Sequence, residues 1–548
     1  MCAGVPLNNK YDHTLYFANE TDQLTYFNSH VDMSFHAYSY VRKKWSIKVE
    51  ATFEQARVWS YLFFRNGTGK RYFYFITNVE YVSDVAVELS LELDVMQTYM
   101  FDWQLRPCYV DREHAATDAY GANTINEGLD VGDLIVDYSE TADLCSNVSI
   151  CMASTIDLKT FYEDATHQKG DLSTVQKVDN LVNGLAVYAW DITSTDANVP
   201  KVGMLNHILK LLTSEGKSDA VFAMWHYPTN LLQRELVFAK NPSEDLTYQL
   251  AYRVTGSLPI AKTAFAYPQS IDGYTPKNKK VLQYPYCFLY ATNNNGGAAV
   301  YRYEHFETHI PSFRIQGNVS PDAVVKLVPT AYKGVAHNYD EALSMSGFPL
   351  ASWNSDAYKM WLAQNQSQQN ASALMSGLKI VGGVAAIIGG VVATAGTAGA
   401  GSFLGASGVT GGVGLITSGL TDIGMQQAQR ADMDVQPPQA RGSMAGSHNM
   451  ANKIHNFDLH RKTVDAYHAE MIDNCFTMYG YATRKVKTPN ISSRPAFNYV
   501  KTIGSNIGVK SGRDFCVEDK NAINAIFDRG ITFWKNPDVG NYALNNQP

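Results

Sequence analysis

Two short strings contain residue types that bind phosphate or zinc in other proteins. Residues 67–70 (GTGK) end in a lysine, as a phosphate-binding loop does, but Arg71 follows and the upstream glycine of that motif is missing. Residues 305–309 (HFETH) have the order HxExH, whereas a zinc-protease helix carries HExxH, which places both histidines on one face. We therefore predict no catalytic residue, no metal ligand and no cofactor in this chain.

A third string, residues 484–487 (RKVK), lies beside Tyr479 and Tyr481 and forms a small basic and aromatic patch. We interpret it as a solvated or intersubunit face in preference to a DNA contact. The chain contains no GxSxG string and no convincing cysteine–histidine pair that would indicate nucleophilic catalysis. Carboxylates cannot be paired in space from sequence, so a glycosidase stays open as an alternative.

The most unusual feature of the chain is an uncharged segment, residues 380–421. Its 42 residues include no charged side chain and no histidine, and 13 of them are glycine. A solvated loop normally carries charge, and a core helix normally avoids glycine, which costs about 0.5–1 kcal/mol per residue against alanine. We predict that the segment is sheltered from water and is membrane-active. The residues assigned to this function are Ile380, Val381, Gly382, Gly383, Val384, Ile387, Ile388, Val391, Val392, Phe403, Leu404, Val409, Val413, Leu415, Ile416 and Leu420.

The length of this segment suits a membrane. A spanning helix needs about 20 residues, so 42 residues are enough for two crossings. Burial stabilises a large apolar side chain by roughly 1.5–3 kcal/mol, and many such side chains exposed together favour aggregation. We therefore expect the segment to be sheltered first and released later. Two alternatives remain: a loop that plugs a lumen or is buried without meeting lipid, and a linker, although linkers are usually polar.

Composition argues against some classes of function. The 548 residues include 45 Lys and Arg against 52 Asp and Glu, and this net charge of −7 argues against gripping nucleic acid through bulk charge. The N-terminal residues have neither a basic nor an apolar stretch, so no secretory signal is predicted. Seven dispersed cysteines, an odd number, indicate reduced thiols in a protein made in a cytosol.

The pattern of apolar residues predicts an α+β, β-rich chain in five parts. The parts are 1–110, β-rich; 111–280, mixed; 281–356, β-rich again; 357–440, a helical stem that carries the long apolar loop 380–421; and 441–548, a C-terminal helix followed by a return to the first β-domain.

Local patterns place individual elements in these parts. Aromatic runs on either side of Asn66-Gly67 predict a hairpin over 61–75, and a second hairpin is predicted over 284–303. Residues 205–212 and roughly 453–478 read as helices, and the C-terminal part as loops and short strands.

Residues 84–95 give the clearest strand pattern. Apolar residues alternate with small or acidic residues over 12 positions, and this is the period of a strand and not of a helix. One face of the strand would enter a core, and the opposite face would be acidic.

Short strings in a definite order also run along the chain. They are 92–102 (ELDVMQTYMFD), 112–114 (REH), 123–129 (NTINEGL), 284–287 (YPYC), 495–499 (PAFNY), 526–534 (IFDRGITFW) and 540–542 (GNY). Together with the Gln-rich stem and Pro437-Pro438, their order and spacing resemble the distal tail knob (tail tube) proteins of phi29-like short-tailed bacteriophages. Residues 140–275 depart from that pattern.

The resemblance implies a non-enzymatic structural protein of the phage tail tip, assembled in the host cytoplasm as a homohexameric ring or tube of β-domains. It further implies that an apolar loop from each subunit plugs the lumen, leaves it on infection and opens a channel in the host membrane for genome ejection. The implied partners are further copies of the chain, other tail proteins, host membrane lipid, and phage DNA in transit without sequence-specific binding.

A tube that passes DNA should not hold it. Acidic side chains on the wall would keep the duplex moving, because Lys and Arg contacts to phosphate are what make DNA bind. We therefore assign Asp84, Glu88 and Glu92 as a candidate lumen wall. Two alternative functions stay open: a tail tube or adaptor protein without membrane activity, and a tail-associated cell-wall hydrolase, which would need paired acidic residues in a cleft.

Overall fold

The structure is a computed structural model of the chain. It describes residues 1–36, 39–41, 45–67, 69–167, 185–192, 194, 196, 199–215, 217, 220–241, 246–333, 342–352, 455–513 and 515–548. The predicted helical stem and the apolar loop 380–421 therefore lie outside the described residues, and so do all sixteen residues assigned to membrane activity.

The described residues are rich in strands and contain few helices. The strands are β1 (Cys2–Ala3), β2 (His13–Leu15), β3 (Ser39–Val41), β4 (Ser46–Val49), β5 (Trp59–Arg65), β6 (Arg71–Ser83), β7 (Ala86–Leu93), β8 (Trp103–Gln104), β9 (Cys108–Glu113), β10 (Ile135–Ala142), β11 (Val148–Ser154), β12 (Ala186–Asp191), β13 (Val221–Pro228), β14 (Leu232–Asn241), β15 (Leu246–Ser257), β16 (Ile260–Thr263), β17 (Cys287–Thr292), β18 (Ala298–Tyr301), β19 (Ser312–Gly317), β20 (Val325–Pro329), β21 (Leu343–Met345), β22 (Leu350–Ser352), β23 (Phe457–Thr463), β24 (Tyr481–Lys487), β25 (Phe497–Ile503), β26 (Gly508–Val509) and β27 (Ile531–Trp534). The helices are α1 (Glu20–Ser29), α2 (Phe53–Ala56), α3 (Val95–Thr98), α4 (Leu158–His167), α5 (Val202–Ser214), α6 (Ala466–Tyr479) and α7 (Val517–Arg529).

The chain divides into two compact units, and each is discontinuous in sequence. Unit 1 contains Met1–Val131, Gln269–Tyr286 and Asp465–Pro548, and unit 2 contains Gly132–Pro268 and Cys287–Val464. Unit 1 therefore joins the two ends of the chain, which is what brings the N-terminal and C-terminal strings of the sequence into one body.

A six-stranded antiparallel sheet forms the N-terminal part of unit 1, in the order β1-β5-β6-β7-β4-β3. The predicted hairpin is confirmed, because Tyr61 lies opposite Phe75 and Phe64 opposite Tyr72. Tyr61 belongs to one buried cluster and its neighbour Leu62 to another, so both faces of the sheet are covered here. This explains why the strand reads as a continuous apolar run.

The second sheet of unit 1 has the order β2-β27-β25-β9-β24. It joins strands from the beginning and the end of the chain, and β2 runs parallel to β27. Its core side meets the N-terminal sheet in one cluster that includes Phe27, Tyr61, Phe497 and Trp534. The ring of Phe27 is stacked on that of Tyr61 with the centroids 5.1 Å apart.

Three antiparallel sheets lie within the described residues of unit 2. Their strand orders are β10-β23-β17-β18, β14-β15-β12-β11-β13-β22 and β16-β19-β20-β21. The predicted hairpin around residues 293–297 is confirmed by the pairing of β17 with β18, although β17 begins at Cys287 and not at residue 284. The helix predicted at 205–212 is confirmed within α5, whose leucines Leu205, Leu209 and Leu212 are buried.

The helix predicted over 453–478 is wrong in its first half. Phe457–Thr463 is a strand, β23, which lies between β10 and β17 in the sheet. Phe457, Leu459 and Thr463 point inward with period two. The helix begins only at Ala466, where the side chain of Asp465 accepts a hydrogen bond from the backbone N–H of His468 at 2.8 Å.

Two helices occur where the sequence predicted strands and loops. Helix α1 begins after Asn19, whose side chain accepts a hydrogen bond from the Asp22 N–H at 2.8 Å. Helix α7 buries Ile523, Ile526 and Phe527, which have helical spacing, and it ends at Gly530. Both helices carry ordinary capping signals, which the strand-rich surroundings of the sequence obscured.

Candidate functional site

The strand predicted over 84–95 is shorter in the structure. It begins at Ala86 and ends at Leu93, and Val95 already opens α3. The alternation is confirmed within it, because Val87, Leu89 and Leu91 are buried while Glu92 is exposed. Asp84 lies in the turn between β6 and β7, where its carboxylate accepts a hydrogen bond from the Tyr81 hydroxyl at 2.6 Å.

The three assigned acidic residues are each held by a polar partner. Glu88 accepts a hydrogen bond from Ser46 Oγ at 2.6 Å, and its other oxygen lies 3.3 Å from Lys48 Nζ. Glu92 accepts a hydrogen bond from Asn9 Nδ2 at 2.6 Å. Four residues of strand separate Glu88 from Glu92, which is about 13 Å. The carboxylates therefore form a row and do not converge as a catalytic pair would.

The hairpin adds an acidic residue that the sequence did not single out. Glu80 on β6 lies directly opposite Glu88 on β7. Two like charges in this position repel each other, and Lys48 beside Glu88 relieves part of that repulsion. We call Glu80, Asp84, Glu88 and Glu92 the acidic face. The sequence could have indicated Glu80, because an antiparallel hairpin with its turn near Asp84 places residue 80 opposite residue 88.

The described residues on the two sides of positions 353–454 lie close together in unit 2. The last described residues before it belong to β22, and the first residues after it are His455 and Asn456. The rings of Phe348 and His455 lie edge to face with centroids 4.5 Å apart. We call Phe348 and Pro349 on one side, and His455 and Asn456 on the other, the segment base. The described residues before and after positions 353–454 are therefore in contact through these two rings.

Hydrogen bonds tie both sides of the segment base to the sheets of unit 2. The backbone N–H of His226 donates to the Pro349 carbonyl at 3.0 Å, and the Leu144 N–H donates to Asn456 Oδ1 at 2.7 Å. Burial lowers the pKa of His455 to about 4, so its ring is neutral at neutral pH. Both sides of the segment base are therefore held by hydrogen bonds to neighbouring residues of unit 2.

The strings that carry the family resemblance form the interior of unit 1. Glu127 is completely buried, pairs with both Arg112 and Lys280, and accepts a hydrogen bond from the Ala482 N–H at 2.8 Å. Burial lowers the pKa of Lys280, and the Glu127 carboxylate acts in the opposite direction. The ion pairs of Glu127 join residues 112 and 280, and its hydrogen bond with the Ala482 N–H adds the C-terminal part of the chain.

His114 has a defined protonation state in this interior. Its Nδ1 accepts a hydrogen bond from the Tyr499 N–H at 2.6 Å, and its Nε2 lies 3.0 Å from the Thr477 carbonyl, to which it must donate. Only the neutral ring with its proton on Nε2 satisfies both contacts. Burial lowers the pKa of His114 to about 4, which agrees with that geometry.

A close backbone approach fixes α6 beside the same strand. Gly480 follows the helix with φ +65°, and a Cβ added there would lie 2.2 Å from the Glu113 carbonyl oxygen. Its own carbonyl accepts a hydrogen bond from Arg112 at 2.9 Å. Only glycine fits this position. In all these contacts the residues hold the strands and helices of unit 1 together, which is a structural and not a catalytic role.

Asp94 and Gln97 hold the other end of this interior. Asp94 caps α3 through the N–H groups of Met96 and Gln97, each at 3.0 Å, and accepts a hydrogen bond from the Tyr61 hydroxyl at 2.8 Å. Burial raises the pKa of Asp94 to about 6. Gln97 donates to the Leu15 carbonyl at 2.8 Å, which joins α3 to β2.

The two strings first considered for chemistry lie in turns. Residues 67–70 connect β5 to β6, and Lys70 pairs with Asp102 at 2.8 Å while its ammonium lies 4.0 Å from the centroid of the Tyr99 ring. His305 ends a short 3-10 helix, and His309 has φ +56°. Among the described residues no group of three His, Cys, Asp or Glu side chains is placed to hold a metal ion.

The cysteines and the cavities of the described residues offer no reactive centre either. No disulfide joins the seven cysteines, five of which are buried. A cavity of about 250 Å³ lies beside His114 and is lined in part by Lys277, Asn278 and Arg494. The Arg494 guanidinium donates to the carbonyls of Ala115 and Asn546 at 2.8 and 3.0 Å, so it belongs to the wall.

No helix within the described residues has both the length and the apolar character that a membrane crossing requires.

Comparison with known proteins identifies the class to which this fold belongs. The fold is similar to the solved structure of the tail knob protein gp12 of bacteriophage C1, with a TM-score of 0.64, 15% identity, and coverage of 100% of this chain and 98% of that one. Residues 1–104 match the caudoviral major tail protein N-terminus. The fold is thus that of a phage tail knob protein.

Sequence relatives identify the family within this class. Residues 255–547, more than half of the chain, match the C-terminal domain of the Bacillus phage phi29 tail knob protein gp9. The chain is 26% identical to the tail knob proteins gp9 of Bacillus phages B103 and phi29. Each alignment covers 100% of this chain and 97% of the relative. The chain belongs to the phi29 gp9 tail knob family. The prediction of a structural phage tail protein with a place in the virion, and not of an enzyme, is confirmed.

Proposed function

We propose that this chain forms a homohexameric tube at the tip of a phage tail, through which the genome is ejected. In this proposal residues 380–421 of each copy plug the tube, leave it on infection and enter the host membrane to form a channel. Residues 357–440 form the stem that carries this loop. Other tail proteins hold the tube in the virion, and DNA passes without sequence-specific binding.

One observation carries the membrane part of the proposal. An uncharged, glycine-rich segment of 42 residues occurs in a chain that is otherwise normally charged, and the described residues on either side of positions 353–454 are in contact through Phe348 and His455. Because these two parts are already in contact, we propose that the segment moves without separating the strands of unit 2. Its apolar side chains have no stable place in water and gain free energy in hydrocarbon.

The acidic face supports the DNA-conducting part. Glu80, Glu88 and Glu92 lie on one side of the β6–β7 hairpin, in a chain with a net charge of −7. A wall of this sign repels phosphate and releases no counterions on contact, so DNA would slide along it and would not bind. We propose that the assigned Asp84, Glu88 and Glu92 line the lumen, with Asp84 and Glu80 at the hairpin end of the acidic face, where the lumen wall borders the next copy.

Dye release from liposomes tests the membrane part. The full chain, a variant in which a short Gly-Ser linker replaces 380–421, and the double variant Ile387→Asp/Ile388→Asp are added to vesicles of phosphatidylglycerol and phosphatidylethanolamine. We expect leakage from the full chain, none from the deletion, and at least about a tenfold loss from the double variant, because each aspartate at mid-membrane costs about 2.5–3.5 kcal/mol.

The matched control is Ala385→Ser/Ala386→Ser, which adds polar groups at neighbouring positions without charge and should leave leakage nearly unchanged. Native mass spectrometry of the same samples counts the copies per assembly, and six are expected. If the deletion variant releases dye as fast as the full chain, the segment is not the membrane-active part. If neither the full chain nor a peptide of residues 380–421 releases dye, the protein is a tube or adaptor without membrane activity.

A further inference from the structure

An apolar row crosses three neighbouring strands on the surface of unit 1. Val486 on β24 and Ile503 on β25 both lie opposite Tyr109 on β9. All three side chains are exposed, Val486 by 71%, Ile503 by 57% and Tyr109 by 37%. Single exposed apolar residues are ordinary, but three at directly opposite positions of neighbouring strands form a patch of the kind that binds another protein. We call these three residues the three-strand row.

Basic residues border the three-strand row on β24 and β25. Arg484 and Lys485 precede Val486 and are exposed, and Lys501 on β25 is 40% exposed with Asp111 as a carboxylate 3.6 Å away. β24 is an edge strand, and its pairing with β9 shifts between Ala482 and Lys485. Arg484 has φ +46° at this shift, a backbone conformation that costs a non-glycine residue about 1–2 kcal/mol. Backbone strain of this kind often occurs at residues whose side chains make a functional contact.

A patch of opposite charge lies on another surface of the same unit. The tip of the β6–β7 hairpin exposes Val85 by 70%, Tyr81 by 55% and Val82 by 44%. We call these three residues the hairpin tip. Glu80 and Asp84, two members of the acidic face, are their immediate neighbours in the chain and are also exposed. The hairpin tip is therefore apolar and acidic, whereas the three-strand row is apolar and basic.

We infer that the hairpin tip of one copy of this chain docks on the three-strand row of the next copy. Each surface supplies the apolar contact and the charge that the other lacks, so both are complementary within one chain type. Contact of a surface with itself would bring like charges together, which disfavours a two-fold arrangement. DNA is a poorer partner for the three-strand row, because exposed valine and isoleucine gain nothing from phosphate.

The contact joins two different surfaces and is therefore heterologous. Such contacts generate a closed ring when the rotation between copies closes. This inference deepens the proposed function and rests on its ring assembly, for which it names the contact. Six side chains are too few for a whole interface, which needs about 1,200 Å² or more, so they form its apolar centre within a polar rim.

Single-cysteine variants test the contact in the full chain. Cys516 is the exposed native cysteine and caps α7 through its sulfur, so Cys516→Ser keeps the cap and removes the exposed thiol. In that background we make Val85→Cys, Val486→Cys and the control Val58→Cys, which is 54% exposed elsewhere in unit 1. A short bis-maleimide is added to each variant alone and to each mixture of two.

The expected result is a cross-linked dimer from the mixture of Val85→Cys and Val486→Cys, and little from either alone or from any mixture with Val58→Cys. Efficient self-cross-linking of Val85→Cys or Val486→Cys would overturn the heterologous contact. Oligomers in light scattering without the mixed cross-link would overturn this contact and leave the ring. A chain that stays monomeric at every concentration would overturn the contact and the ring together.

A charge exchange gives a second readout. Glu80→Lys and Arg484→Glu should each weaken association about two- to fivefold per contact, and the double variant should recover most of that loss. Absence of recovery would contradict direct pairing of the two surfaces. If Arg484→Glu instead weakens binding of a short DNA duplex and leaves association unchanged, the three-strand row is a DNA contact and the inference fails.

Discussion

His114 offers a sharp test of how unit 1 is held together. The proposed change is His114→Gln, because a glutamine side chain also carries one donor and one acceptor. It can donate to the Thr477 carbonyl and accept from the Tyr499 N–H as the neutral ring does. Unlike histidine, it cannot take up a proton. The variant therefore keeps the hydrogen bonds of the neutral state and removes the titration.

The size of the effect follows from the pKa of His114, which burial lowers from 6.5 to about 4. Between these two pH values the unfolded chain binds more protons at this residue than the folded chain, so stability falls as the pH falls. The contribution is fully present above about pH 6.5 and is lost towards pH 4. At about 1.4 kcal/mol per pH unit, the wild type should lose about 2.5 kcal/mol against His114→Gln by pH 4.5.

Asp94 makes the comparison with a variant necessary. Its pKa is raised to about 6, so between about pH 4 and pH 6 the folded chain binds more protons at Asp94 than the unfolded chain. Asp94 therefore stabilises unit 1 as the pH falls, in opposition to His114. The two contributions partly cancel in the wild type, but that of Asp94 is common to both proteins and drops out of their difference.

The assay is urea unfolding followed by pulsed hydrogen exchange and mass spectrometry, from about pH 7.5 to about pH 4.5. Peptides from β9 and β25 report on unit 1 directly, so unfolding of unit 2 does not enter the result. A difference between the two proteins that stays within about 0.5 kcal/mol over this range would refute the assigned state of His114. His114→Asn serves as the second variant if the glutamine protein does not fold.

Two further changes probe the interior of unit 1 and the acidic face. Glu127→Gln leaves Arg112 and Lys280 without their buried counter-charge and should lower the free energy of unfolding by about 3–5 kcal/mol. The control Glu54→Gln breaks an exposed pair with Arg57 and should lower it by less than about 1 kcal/mol. Equal losses in urea unfolding would contradict the buried network. Glu92→Cys in assembled rings of the Cys516→Ser background should react with a small maleimide and be protected from a maleimide on a large dextran, and equal labelling by both reagents would place the acidic face outside the lumen.

Sequence patterns predicted the parts of the fold that are local. The hairpin over 61–75 has its turn residues and its aromatic strands within fifteen positions, and α5 has its buried leucines at helical spacing. The sequence predicts a helix at β23 because its seven residues of mixed charge show little periodicity, and the position of the segment between β10 and β17 decides its conformation. The spacing of Ile523, Ile526 and Phe527 indicates helix α7, but the strand-like patterns of the neighbouring residues favour a prediction of loops and short strands.

Contacts between distant parts of the chain could not be predicted in the same way. Glu127 finds its partners at Arg112, Lys280 and Ala482, and no pattern in one sequence indicates which charges will be buried together. Glu80 meets Glu88 only because the hairpin turn fixes its register. The three-strand row likewise joins residues 109, 486 and 503, which only the folded sheet places side by side.

The contact between the rings of Phe348 and His455 has a consequence for the length of the chain between them. The described chain stops at Ser352 and resumes at His455, so this insert is bounded by two parts of unit 2 that already lie together. Doubling the length of such an insert raises the closure cost by only about 0.6 kcal/mol. An insert of different length between Ser352 and His455 would therefore cost the sheets of unit 2 little free energy of folding.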